Sequence, residues 1–374
     1  MKAQQLPKNW QEVELKEICD IKKGSSITKT RLGEGNIPVI AGGQQPAYYH
    51  NLSNRNGETI TVSGSGAYAG FVAYFNIPIF ASDCSTIQAK GNNLFMKYLY
   101  YFLKYNQKQI YKMQKGIAQP HVYPKDLAQL KIPIPPLETQ KAIVQILEKT
   151  ESIKQKREQA DKLTNDYLKS VFYEMFLNKK FEQIEIGNKS IFDVQSGGTP
   201  SKSKKEYWEN GDIPWMGSTS CKDLPIYEAK KYITKKGLEN SSTKIFPKET
   251  VLVALVGATI GKTGILKFNC SMNQNVAGII IKNENKIDST YLFFSMKNLY
   301  SKFISLSGDT FKMANLSFVR SLQIPLPPIP LQQKFASIVE HVEKLKEKQK
   351  QSKEHLEEMF NSLMQKAFNG ELIK

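Results

Sequence analysis

An internal duplication constrains this chain more than any other feature of its sequence. The segment Leu130-Lys-Ile-Pro-Ile-Pro-Pro136 recurs 192 residues later as Leu322-Gln-Ile-Pro-Leu-Pro-Pro328, and the correspondence runs without a gap from 116–176 to 308–368. Further upstream the copies still correspond, although the offset between them changes. Correspondence over so long an ungapped stretch indicates a true repeat. The 374 residues are therefore predicted to form two copies of one unit rather than unrelated domains.

Each copy begins with a part whose sequence is typical of short strands and turns. Apolar runs such as Ile60–Val62 and Val251–Val256 are separated by Gly, Ser, Asn and Pro, with helical segments near 95–113 and 289–304. A Pro-Pro pair then precedes a stretch of roughly forty residues that lacks Gly in either copy. Because proline is tolerated at the start of a helix but not inside it, each pair predicts the beginning of a long helix.

The two long segments carry an apolar seam at intervals of three and four residues, flanked by charged side chains. Such a helix would be ~60 Å long and would need a partner for its seam. Because two copies of one helix related by a pseudo-twofold axis run antiparallel, we predict an internal antiparallel coiled coil. Packing of the seam against a globular domain or another subunit is the alternative. The seam residues are Ile143, Ile146, Thr150, Ile153, Arg157, Ala160, Thr164, Tyr167 and Val171, and then Phe335, Ile338, Val342, Leu345, Gln349, Ser352, Leu356, Met359 and Leu363.

The formal net charge of +17 is concentrated on the two strand-rich parts. Residues 1–137 contain 16 basic and 8 acidic side chains, and residues 181–330 contain 19 and 13. The long segments are nearly balanced, with 9 and 7 in 138–180 and 8 and 7 in 331–374. Nucleic acid, an anionic membrane surface and solubility are the common explanations for a basic excess. Its confinement to two domains favours contact with phosphates over a basic membrane-binding helix.

Other features of the sequence narrow the class of protein. No run of 18 apolar residues predicts a membrane span, and the N-terminal stretch lacks the apolar region of a signal peptide. Cys19, Cys84, Cys221 and Cys270 are far apart, which argues against a disulfide framework or a zinc site. A soluble intracellular protein is the expectation.

Loops in both strand-rich parts mix cations with polar and aromatic side chains. Lys and Arg contact phosphates or guanine edges, Asn and Gln can read adenine, and Ser and Thr serve either purpose. For any single residue a solvated surface loop is the alternative, whereas the occurrence of the set in both copies favours DNA. The candidate DNA contacts are Lys22, Lys23, Ser25, Ser26, Lys29, Arg31, Gln44, Gln45, Tyr48, Tyr49, Arg55, Tyr68, Gln119 and His121 in the first copy, and Thr199, Ser201, Lys202, Lys204, Lys205, Tyr207, Ser218, Thr219, Ser220, Lys222, Lys262 and Lys312 in the second.

The sequence offers little for catalysis. Gly257-Ala-Thr-Ile-Gly261-Lys262 follows a strand, but a P-loop needs four residues between the glycine and Gly-Lys, and here there are three. A tight turn with glycines at positive φ is the favoured interpretation, and an NTPase that uses Lys262 is the rejected one. Neither a metal-binding histidine pair nor a catalytic serine or methyltransferase tetrapeptide is present. We predict a recognition module without catalytic residues or a metal.

The ordered set of motifs in this chain resembles that of the specificity subunit of type I restriction-modification systems. The resemblance rests on the duplicated Ile-Pro-x-Pro-Pro-x-x-x-Gln motif between a basic strand-rich domain and a long helix. It also rests on Ser196–Pro200, Gly211–Trp215 and Val256–Gly261, and on the end of the chain at Gln365–Leu372. The first copy departs from the common Gly-Thr-Pro opening and has Gly24-Ser-Ser-Ile-Thr28 instead, so its contact residues are less closely defined.

The resemblance implies an α+β fold in which two target recognition domains are separated by two long antiparallel helices that form a coiled coil, with an internal pseudo-twofold duplication. The implied boundaries are 1–137 for the first target recognition domain, 138–180 for the central helix, 181–330 for the second domain and 331–374 for the C-terminal helix. Each domain would read one half of a bipartite double-stranded DNA site, and the coiled coil would set the spacer.

The same resemblance implies partners and cofactors. Two methyltransferase subunits would bind the chain and methylate adenine at N6 with S-adenosylmethionine, and two restriction subunits would add ATP-dependent cleavage. The chain itself would be non-catalytic and bind no cofactor, with S-adenosylmethionine, ATP and Mg²⁺ on the partner subunits. The expected location is the cytoplasm of a prokaryote, without a membrane partner. A stand-alone architectural DNA-binding protein without enzyme partners is the alternative function.

Overall fold

The protein is described by a computed structural model that covers residues 6–27, 35–116, 118–306 and 313–373, apart from the side chain of Asn165. Its contacts divide the chain into two compact units. Unit 1 comprises residues 1–159 together with 350–374, and unit 2 comprises residues 160–349. Each unit therefore contains one strand-rich part and half of each long helix. None of the helices in the described ranges is both long and apolar enough to cross a lipid bilayer.

Unit 1 contains a four-stranded antiparallel sheet with strand order β2-β8-β5-β6, a three-stranded sheet with order β4-β3-β7 and the pair β1-β9. Within the three-stranded sheet, β3 runs antiparallel to β4 and parallel to β7. The elements are β1 (Gln11–Glu14), α1 (Leu15–Ile18), β2 (Cys19–Lys23), β3 (Ile37–Ile40), β4 (Tyr48–His50), β5 (Thr59–Ser63), β6 (Val72–Phe75), β7 (Phe80–Ala81), β8 (Cys84–Ala89), α2 (Met96–Tyr105), α3 (Gln107–Tyr111), α4 (Pro124–Leu127), β9 (Lys131–Ile134) and α5 (Leu137–Phe172).

The core of unit 1 lies between the four-stranded sheet and α2. All five residues of the inner strand β5 are buried. Ile60 and Val62 pack in one cluster with Tyr98 and Leu99 of α2. The same cluster includes Leu147 of α5 and Phe360 and Phe368 of the C-terminal helix, so the long helices are part of the core and not an appendage.

Unit 2 repeats this architecture and adds two strands. A five-stranded sheet has the order β11-β19-β16-β17-β13, a four-stranded sheet has the order β14-β12-β18-β15, and β10 pairs with β20. The elements, after a π-helical turn at Tyr173–Leu177, are β10 (Gln183–Glu185), β11 (Phe192–Ser196), β12 (Ile213–Met216), β13 (Leu224–Ile226), β14 (Lys231–Ile233), α6 (Lys235–Glu239), β15 (Ile245–Phe246), β16 (Val251–Ala254), β17 (Thr263–Leu266), β18 (Cys270–Met272), β19 (Val276–Ile281), α7 (Ser289–Asn298), α8 (Tyr300–Ile304), α9 (Leu316–Ser321), β20 (Gln323–Pro325) and α10 (Ile329–Phe368).

Strand pairing matches unit 1 with unit 2 element by element. The pair β2-β8 corresponds to β11-β19, and the pair β5-β6 corresponds to β16-β17. The tyrosine hydroxyls of Tyr98 and Tyr291 both donate to the carbonyl of a motif proline, Pro133 or Pro325, at 2.6 Å. Strands β13 and β15 lie in the stretch where the sequence offset between the copies grows. The duplication is thus a duplication of the fold, with insertions in the second copy.

The repeated glutamine of the Pro-Pro motif fastens each long helix to its domain. Gln140 is fully buried, and its side-chain oxygen accepts a hydrogen bond from the Phe95 N–H at 2.8 Å. Its amide donates to the carbonyls of Asn93 and Pro135 at 3.0 and 2.9 Å. One side chain therefore joins the loop before α2 to the start of α5. All of its polar atoms are satisfied, as burial requires.

Gln332 does the same in unit 2. Its oxygen accepts from the Asp288 N–H at 2.9 Å, and its amide donates to the carbonyls of Lys286 and Pro327, both at 2.8 Å. Gln332 is also fully buried. The motif that reveals the duplication in sequence is consequently the joint between the strand-rich part and the long helix.

The two long helices run antiparallel, as the duplication predicts. Within unit 2, Gln349 donates to the Thr164 hydroxyl at 3.2 Å, and the rings of Phe172 and Phe335 are 5.3 Å apart. As the residue number rises on α5 it therefore falls on α10. Within unit 1, Lys154 of α5 forms an ion pair with Glu357 of α10 at 2.5 Å. Seam side chains and flanking ion pairs give the packing of a coiled coil.

The predicted seam is wrong by one residue toward the end of each long helix. Tyr167 is 51% exposed and its neighbour Leu168 is buried; Met359 is 43% exposed and Phe360 is buried. A strict seven-residue repeat drifts by roughly 20° per heptad against an α-helix with 3.6 residues per turn. Over several heptads this drift approaches the 100° that separates adjacent residues, so the next position takes over the seam.

Candidate nucleic-acid interface

The strand register of unit 1 collects the candidate loops at one end of its sheets. Strand β2 ends at Lys23 opposite Ser85, and β5 ends at Ser63 opposite Cys84. Strand β3 ends at Ile40 beside Ala81 of its parallel neighbour β7. The segments that follow β2, β3 and β5 must therefore emerge beside the turn between β7 and β8. These are the segments in which most candidates of the first copy lie.

The turn at Ser82 and Asp83 holds these segments together. The Ser82 N–H donates to the Ile40 carbonyl at 2.7 Å, and the Gly64 N–H donates to the Asp83 carbonyl at 2.9 Å. The Ser65 hydroxyl donates to the Asp83 carboxylate. The segments that follow β3 and β5 are thus fixed to one turn by hydrogen bonds, which makes this end of the sheets a preorganised surface.

Glycine is required where the first of these loops passes the turn. A Cβ atom at Gly24 would clash with the backbone of Ser82, and a Cβ atom at Gly197 would clash with the backbone of Met272 in unit 2. Residues Gly24 and Gly197 are the corresponding residues of the repeat, each directly after the first strand of the four- or five-stranded sheet. The close approach explains why both copies have glycine there, although the residues that follow differ.

Within unit 1 the predicted residues form two groups. Ser25 donates its N–H to the Ala81 carbonyl at 3.0 Å, and the Tyr48 hydroxyl donates to the Ile27 carbonyl at 3.2 Å. The second group lies where Ser65 bridges to His121, and it includes Gln119 and the exposed ring of Tyr68. The candidates that are exposed and whose side chains form no hydrogen bond with another residue in the described ranges are Lys22, Lys23, Ser26, Gln44, Gln45 and Tyr49.

Arg55 and the lysine pair of β2 differ from what their sequence context predicts. The Arg55 guanidinium donates to the Thr86 hydroxyl at 2.8 Å, to the Asn54 carbonyl at 2.7 Å and to the Lys23 carbonyl at 3.2 Å. Through these bonds Arg55 joins β2 to the loop before β5. Lys22 and Lys23 are adjacent in a strand and so point to opposite faces. Only one of the two can face a ligand on a given face.

Unit 2 brings its loops to the corresponding end of the sheets. The Gly198 N–H donates to the Met272 carbonyl at 2.8 Å, and the Asn273 N–H donates to the Met216 carbonyl at 2.9 Å. The Thr199 hydroxyl donates to the Gln274 side-chain oxygen at 2.7 Å. The first loop, the turn at Ser218, Thr219 and Ser220, and the segment between β18 and β19 therefore adjoin one another. Lys222 is exposed at the end of this group.

A tryptophan pair holds the lysine-rich loop of unit 2. The rings of Trp208 and Trp215 meet edge to face at 5.0 Å. Trp208 donates its indole N–H to the Ser201 carbonyl at 3.1 Å, and Trp215 donates to the Gly198 carbonyl at 3.0 Å. The loop is thereby fixed to two rings, of which Trp215 is buried and Trp208 is half-buried, while Lys202 and the other side chains of residues 201–206 are exposed.

The side chains of two candidates in unit 2, Tyr207 and Lys204, contact each other within the fold. Tyr207 is only 4% exposed, so its ring is a core residue, and its hydroxyl accepts a hydrogen bond from Lys204 at 3.0 Å. This bond raises the pKa of Lys204. Lys205 lies next to this pair and remains exposed, with Glu209 at 3.8 Å. A contact of Tyr207 with DNA would require the loop to move.

Lys262 is also held by neighbours in the fold. Its ammonium donates to the Asp223 carboxylate at 2.7 Å and lies 4.4 Å from the centre of the Tyr300 ring. This hydrogen bond to Asp223 raises the pKa of Lys262. Asp223 also accepts from the Thr263 N–H at 3.0 Å. Gly257 and Gly261 have φ of 70° and 74°, which confirms the tight turn predicted for the P-loop-like sequence.

The structure adds candidates that the sequence analysis missed. Asn273 and Gln274 lie between β18 and β19, beside Thr199, and carry the amide groups that can read adenine. In unit 1, Tyr123 is 42% exposed and stacks with His121 at 6.0 Å. Two signals were available in the sequence: a run of amides between apolar strands, and an aromatic residue two positions after a candidate histidine. Lys29, Arg31 and Lys312 lie outside the described residues.

The described residues offer no chemistry of their own at this surface. No group of three or more His, Cys, Asp or Glu within the described ranges could hold a metal ion. Burial raises the pKa of Cys19, Cys84, Cys221 and Cys270 to about 12, so at neutral pH these free thiols are inert. Each unit therefore presents a preorganised surface of polar and basic side chains.

Comparison with known proteins agrees with this description. The family described as "Type I restriction modification DNA specificity domain" matches residues 7–164 and 178–358. A Methanocaldococcus jannaschii protein named type I restriction enzyme MjaIX specificity subunit is 36% identical over 188 residues, which is 48% of this chain and 42% of that protein. The MjaVIII specificity subunit of the same organism is 25% identical over 410 aligned positions, covering all of this chain and 95% of that protein.

A solved structure extends the likeness to the whole fold. The S subunit of a type I restriction-modification system from M. genitalium superimposes with a TM-score of 0.61 at 19% identity, covering 96% of either chain. At that identity the likeness concerns the fold alone. The family match, in contrast, covers two segments that together span most of the sequence, one for each copy of the repeat. The chain therefore belongs to the family of type I restriction-modification DNA specificity domains.

Proposed function

We propose that this chain is the DNA-recognition subunit of a type I restriction-modification enzyme. Each strand-rich domain reads one half of a split DNA sequence, and the antiparallel helices set the spacer between the halves. The observation that carries the proposal is the repeated loop surface, fixed at equivalent strand ends in two copies of one fold. Family membership supports the same assignment. The chain acts without catalytic residues of its own.

Differences between the two loop surfaces support two different half-sites. Asp83 in unit 1 and Asn275 in unit 2 are equivalent, because each carbonyl accepts a hydrogen bond at 2.9 Å from the residue that follows the central strand, Gly64 or Leu255. A carboxylate accepts from the amino group of cytosine, whereas an amide pairs with adenine. The same position in the fold therefore carries different recognition chemistry in the two units.

The partners follow from the chemistry that the chain lacks. Methylation of adenine N6 would come from two methyltransferase subunits carrying S-adenosylmethionine, and the target base must leave the helix stack to reach their active sites. Cleavage would come from two restriction subunits that use ATP and Mg²⁺. Because its substrate is chromosomal DNA, we place the assembly in the prokaryotic cytoplasm.

The experiment that tests this proposal is methylation mapping. The chain is expressed with its methyltransferase partner in a host without other adenine methylation, and N6-methyladenine is mapped across the genome. We expect one motif of two short defined sequences separated by a spacer of fixed length. A continuous motif would contradict the division of reading between two domains, and an absence of methylation would contradict the assignment as a whole.

A second experiment addresses the helices. Inserting four residues after Arg157, matched by four residues at the facing position of α10, lengthens both helices by about 6 Å. We expect the defined halves of the motif to stay the same while the spacer changes. Insertion in α5 alone is the control, and it should prevent assembly because the paired seams no longer match. An unchanged spacer in the double insertion would contradict the role of the coiled coil.

A third experiment addresses individual contacts. Asp83→Asn should alter the preferred base at one position of one half-site, and the matched substitution Asn275→Asp should do so only in the other half. Each lost base contact is expected to cost about 1–3 kcal/mol of discrimination. Ser190→Ala, on the exposed turn before β11, is the control that should leave both halves unchanged.

A further inference from the structure

Unit 2 contains a groove beside Lys297, whereas the equivalent lysine of unit 1, Lys104, is held by polar contacts. The groove has a volume of 1280 Å³ and lies between α7, the start of α10, the end of α5 and the edge strand β13. Leu168, Phe293, Phe294 and Val339 contribute apolar surface to it. Lys297 is the cation of α7 that faces this space, and it is half-buried.

The corresponding place in unit 1 is held by one carboxylate. Lys104, the counterpart of Lys297, forms an ion pair with Glu151 of α5 at 2.7 Å. The Tyr101 hydroxyl donates to the other oxygen of Glu151, also at 2.7 Å. A second ion pair, Lys97 with Glu148 at 2.5 Å, lies one turn away. Helix α2 is thereby fixed to the long helix.

These contacts are not made in unit 2, although the acidic residues are present. Glu343, the counterpart of Glu151, pairs with Lys346 of its own helix at 2.8 Å, and Glu340 pairs with Lys344 at 2.7 Å. Phe294 stands where Tyr101 stands in unit 1 and has no hydroxyl to donate. Ile265 of unit 2 also stands at the position of Tyr74 in unit 1, whose ring lies 5.7 Å from that of Tyr100.

Lys297 is consequently left with no carboxylate partner of its own in the described chain. Its one hydrogen-bond acceptor there is the carbonyl of Asp223 at 3.2 Å, since the carboxylate of that residue is bound by Lys262. The rings of Phe293 and Phe294 lie 5.9 and 5.6 Å from its ammonium. Burial lowers the pKa of Lys297; the charge of Asp223 opposes this effect, and the nearby cations, Lys346 among them, add to it. A half-buried ammonium of this kind is stabilised by an added anion.

The charge of the groove excludes a polyanion as its natural occupant. Five lysines and five acidic side chains line it, so the lining is neutral as a whole. A nucleotide or a run of phosphates would need a net positive lining. One ammonium beside an apolar surface is instead complementary to a single carboxylate carried on an apolar group. We propose that this groove binds a polypeptide segment of a partner protein, in which one acidic side chain is flanked by aromatic or aliphatic ones and pairs with Lys297.

Two features favour a polypeptide over a small acid. The volume exceeds the ≈ 300–1,000 Å³ of a small-molecule pocket, and the rim carries large exposed side chains, Tyr227 at 72%, Leu224 at 57% and Tyr173 at 53%. Exposed aromatic residues around an apolar floor are typical of protein interfaces. Because Lys104 of unit 1 is paired with Glu151 and Lys297 has no such carboxylate among the described residues, we infer the site for unit 2 alone. It therefore does not serve a partner that binds both copies alike.

The test uses a peptide probe and its neutral counterpart. N-acetyl-(4-fluorophenylalanyl)-glutamyl-phenylalanine amide, and the same peptide with glutamine, are titrated with the full-length chain and followed by ¹⁹F NMR. We expect the glutamate peptide to bind at least about tenfold more tightly, because a charge-assisted hydrogen bond is lost with glutamine. Lys297→Met should remove that preference, and Lys297→Arg should retain it.

Lys104→Met is the matched control, because it alters the equivalent lysine of unit 1, which is paired with Glu151, and it should leave both titrations unchanged. Thermal melting of each variant shows that it is folded. Equal binding of the two peptides, or an unchanged preference in Lys297→Met, would overturn the proposal. Binding of 3-phenylpropionate as tightly as the glutamate peptide would overturn the polypeptide assignment in favour of a small acid. Methylation patterns of Lys297→Met test the proposed function separately and are expected to be those of the native chain.

Discussion

Lys104 and Lys297 occupy equivalent positions in the two copies and have opposite environments. Around Lys104, burial disfavours the charged form, but the hydrogen bond that Lys104 donates to Glu151 and the nearby tyrosines outweigh it and raise the pKa. Around Lys297, burial dominates and the pKa is lowered. The residue and its place in the fold are the same, and the difference comes from whether a carboxylate reaches it.

This comparison separates the parts of the repeat that hold the fold from those that have diverged. Gln140 and Gln332 make the same three hydrogen bonds, and Tyr98 and Tyr291 make the same contact with a motif proline. The faces that surround these joints differ in charge pairing, in aromatic residues and in strand number. A duplicated fold can thus keep its joints and still carry unequal surfaces.

The largest expected effect tests the shared joint. Gln140→Leu and Gln332→Leu each remove three hydrogen bonds, one accepted from a backbone N–H and two donated to backbone carbonyls, and we expect a loss of about 2–4 kcal/mol for either variant. Native-state hydrogen exchange of the α2 and α7 amides measures the loss in each unit separately. Similar losses would sharpen the comparison. A loss in only one unit would show that the joints are not equivalent.

The next effect should have opposite signs in the two units. Lys104→Met leaves the Glu151 carboxylate with Tyr101 alone, and because the pair is about a third exposed we expect a loss of about 1 kcal/mol. Lys297→Met removes an ammonium without a carboxylate and should be neutral or stabilising by up to about 1 kcal/mol. Chemical denaturation with exchange at α2 and α7 measures both. Equal losses would break the comparison.

Acid should weaken unit 1 through Glu151. Burial by itself would raise the pKa of Glu151, but hydrogen bonds from Lys104 and Tyr101 outweigh it and hold the pKa below its usual value. Because the pKa of Glu151 is lower in the folded chain than the unfolded value near 4.5, the ionised carboxylate stabilises the fold above that pH. This stabilisation is lost as the pH falls through the folded-state pKa. We expect α2 exchange to accelerate below about pH 4.5. Glu151→Gln should flatten this dependence, and no change between the two would count against the interaction.

The smallest expected effect is a partial repair of unit 2. Phe294→Tyr adds the hydroxyl that Tyr101 has in unit 1, within reach of the helix that carries Glu343. A gain of about 0.5–1 kcal/mol at α7 is expected if Glu343 accepts the new bond. Reduced binding of the glutamate peptide should accompany it. A destabilised α7 would instead show that the groove lacks room for the hydroxyl.

Much of the fold could be predicted from sequence because it depends on repetition and on proline. Both long helices begin directly after the Pro-Pro pairs, at Leu137 and Ile329, and the antiparallel pairing follows from the duplication. The seam was predicted well only near the helix starts. Its later register depends on the mismatch between 3.5 and 3.6 residues per turn, which a list of apolar positions does not reveal.

The candidate site was less predictable, because its residues are defined by contacts between distant segments. Tyr207 has the composition of a binding loop and lies in the core, and Arg55 is used to join β2 to a loop. Asn273 and Gln274 follow a short strand, and their proximity to Thr199 depends on sheet pairing over 75 residues. The environment of Lys297 depends on the Glu343 carboxylate, which pairs with Lys346 of its own helix. The sequence does not show this difference, because the corresponding Lys and Glu are present in both copies.

The central claim is that each domain reads one half-site, and a domain exchange tests it most directly. Residues 1–130 are replaced by the same region of a relative with a different specificity, and N6-methyladenine is mapped in cells that contain the methyltransferase partner. The account predicts that one half of the split motif changes, while the other half and the spacer length stay the same. A change in both halves, or in neither, would contradict it.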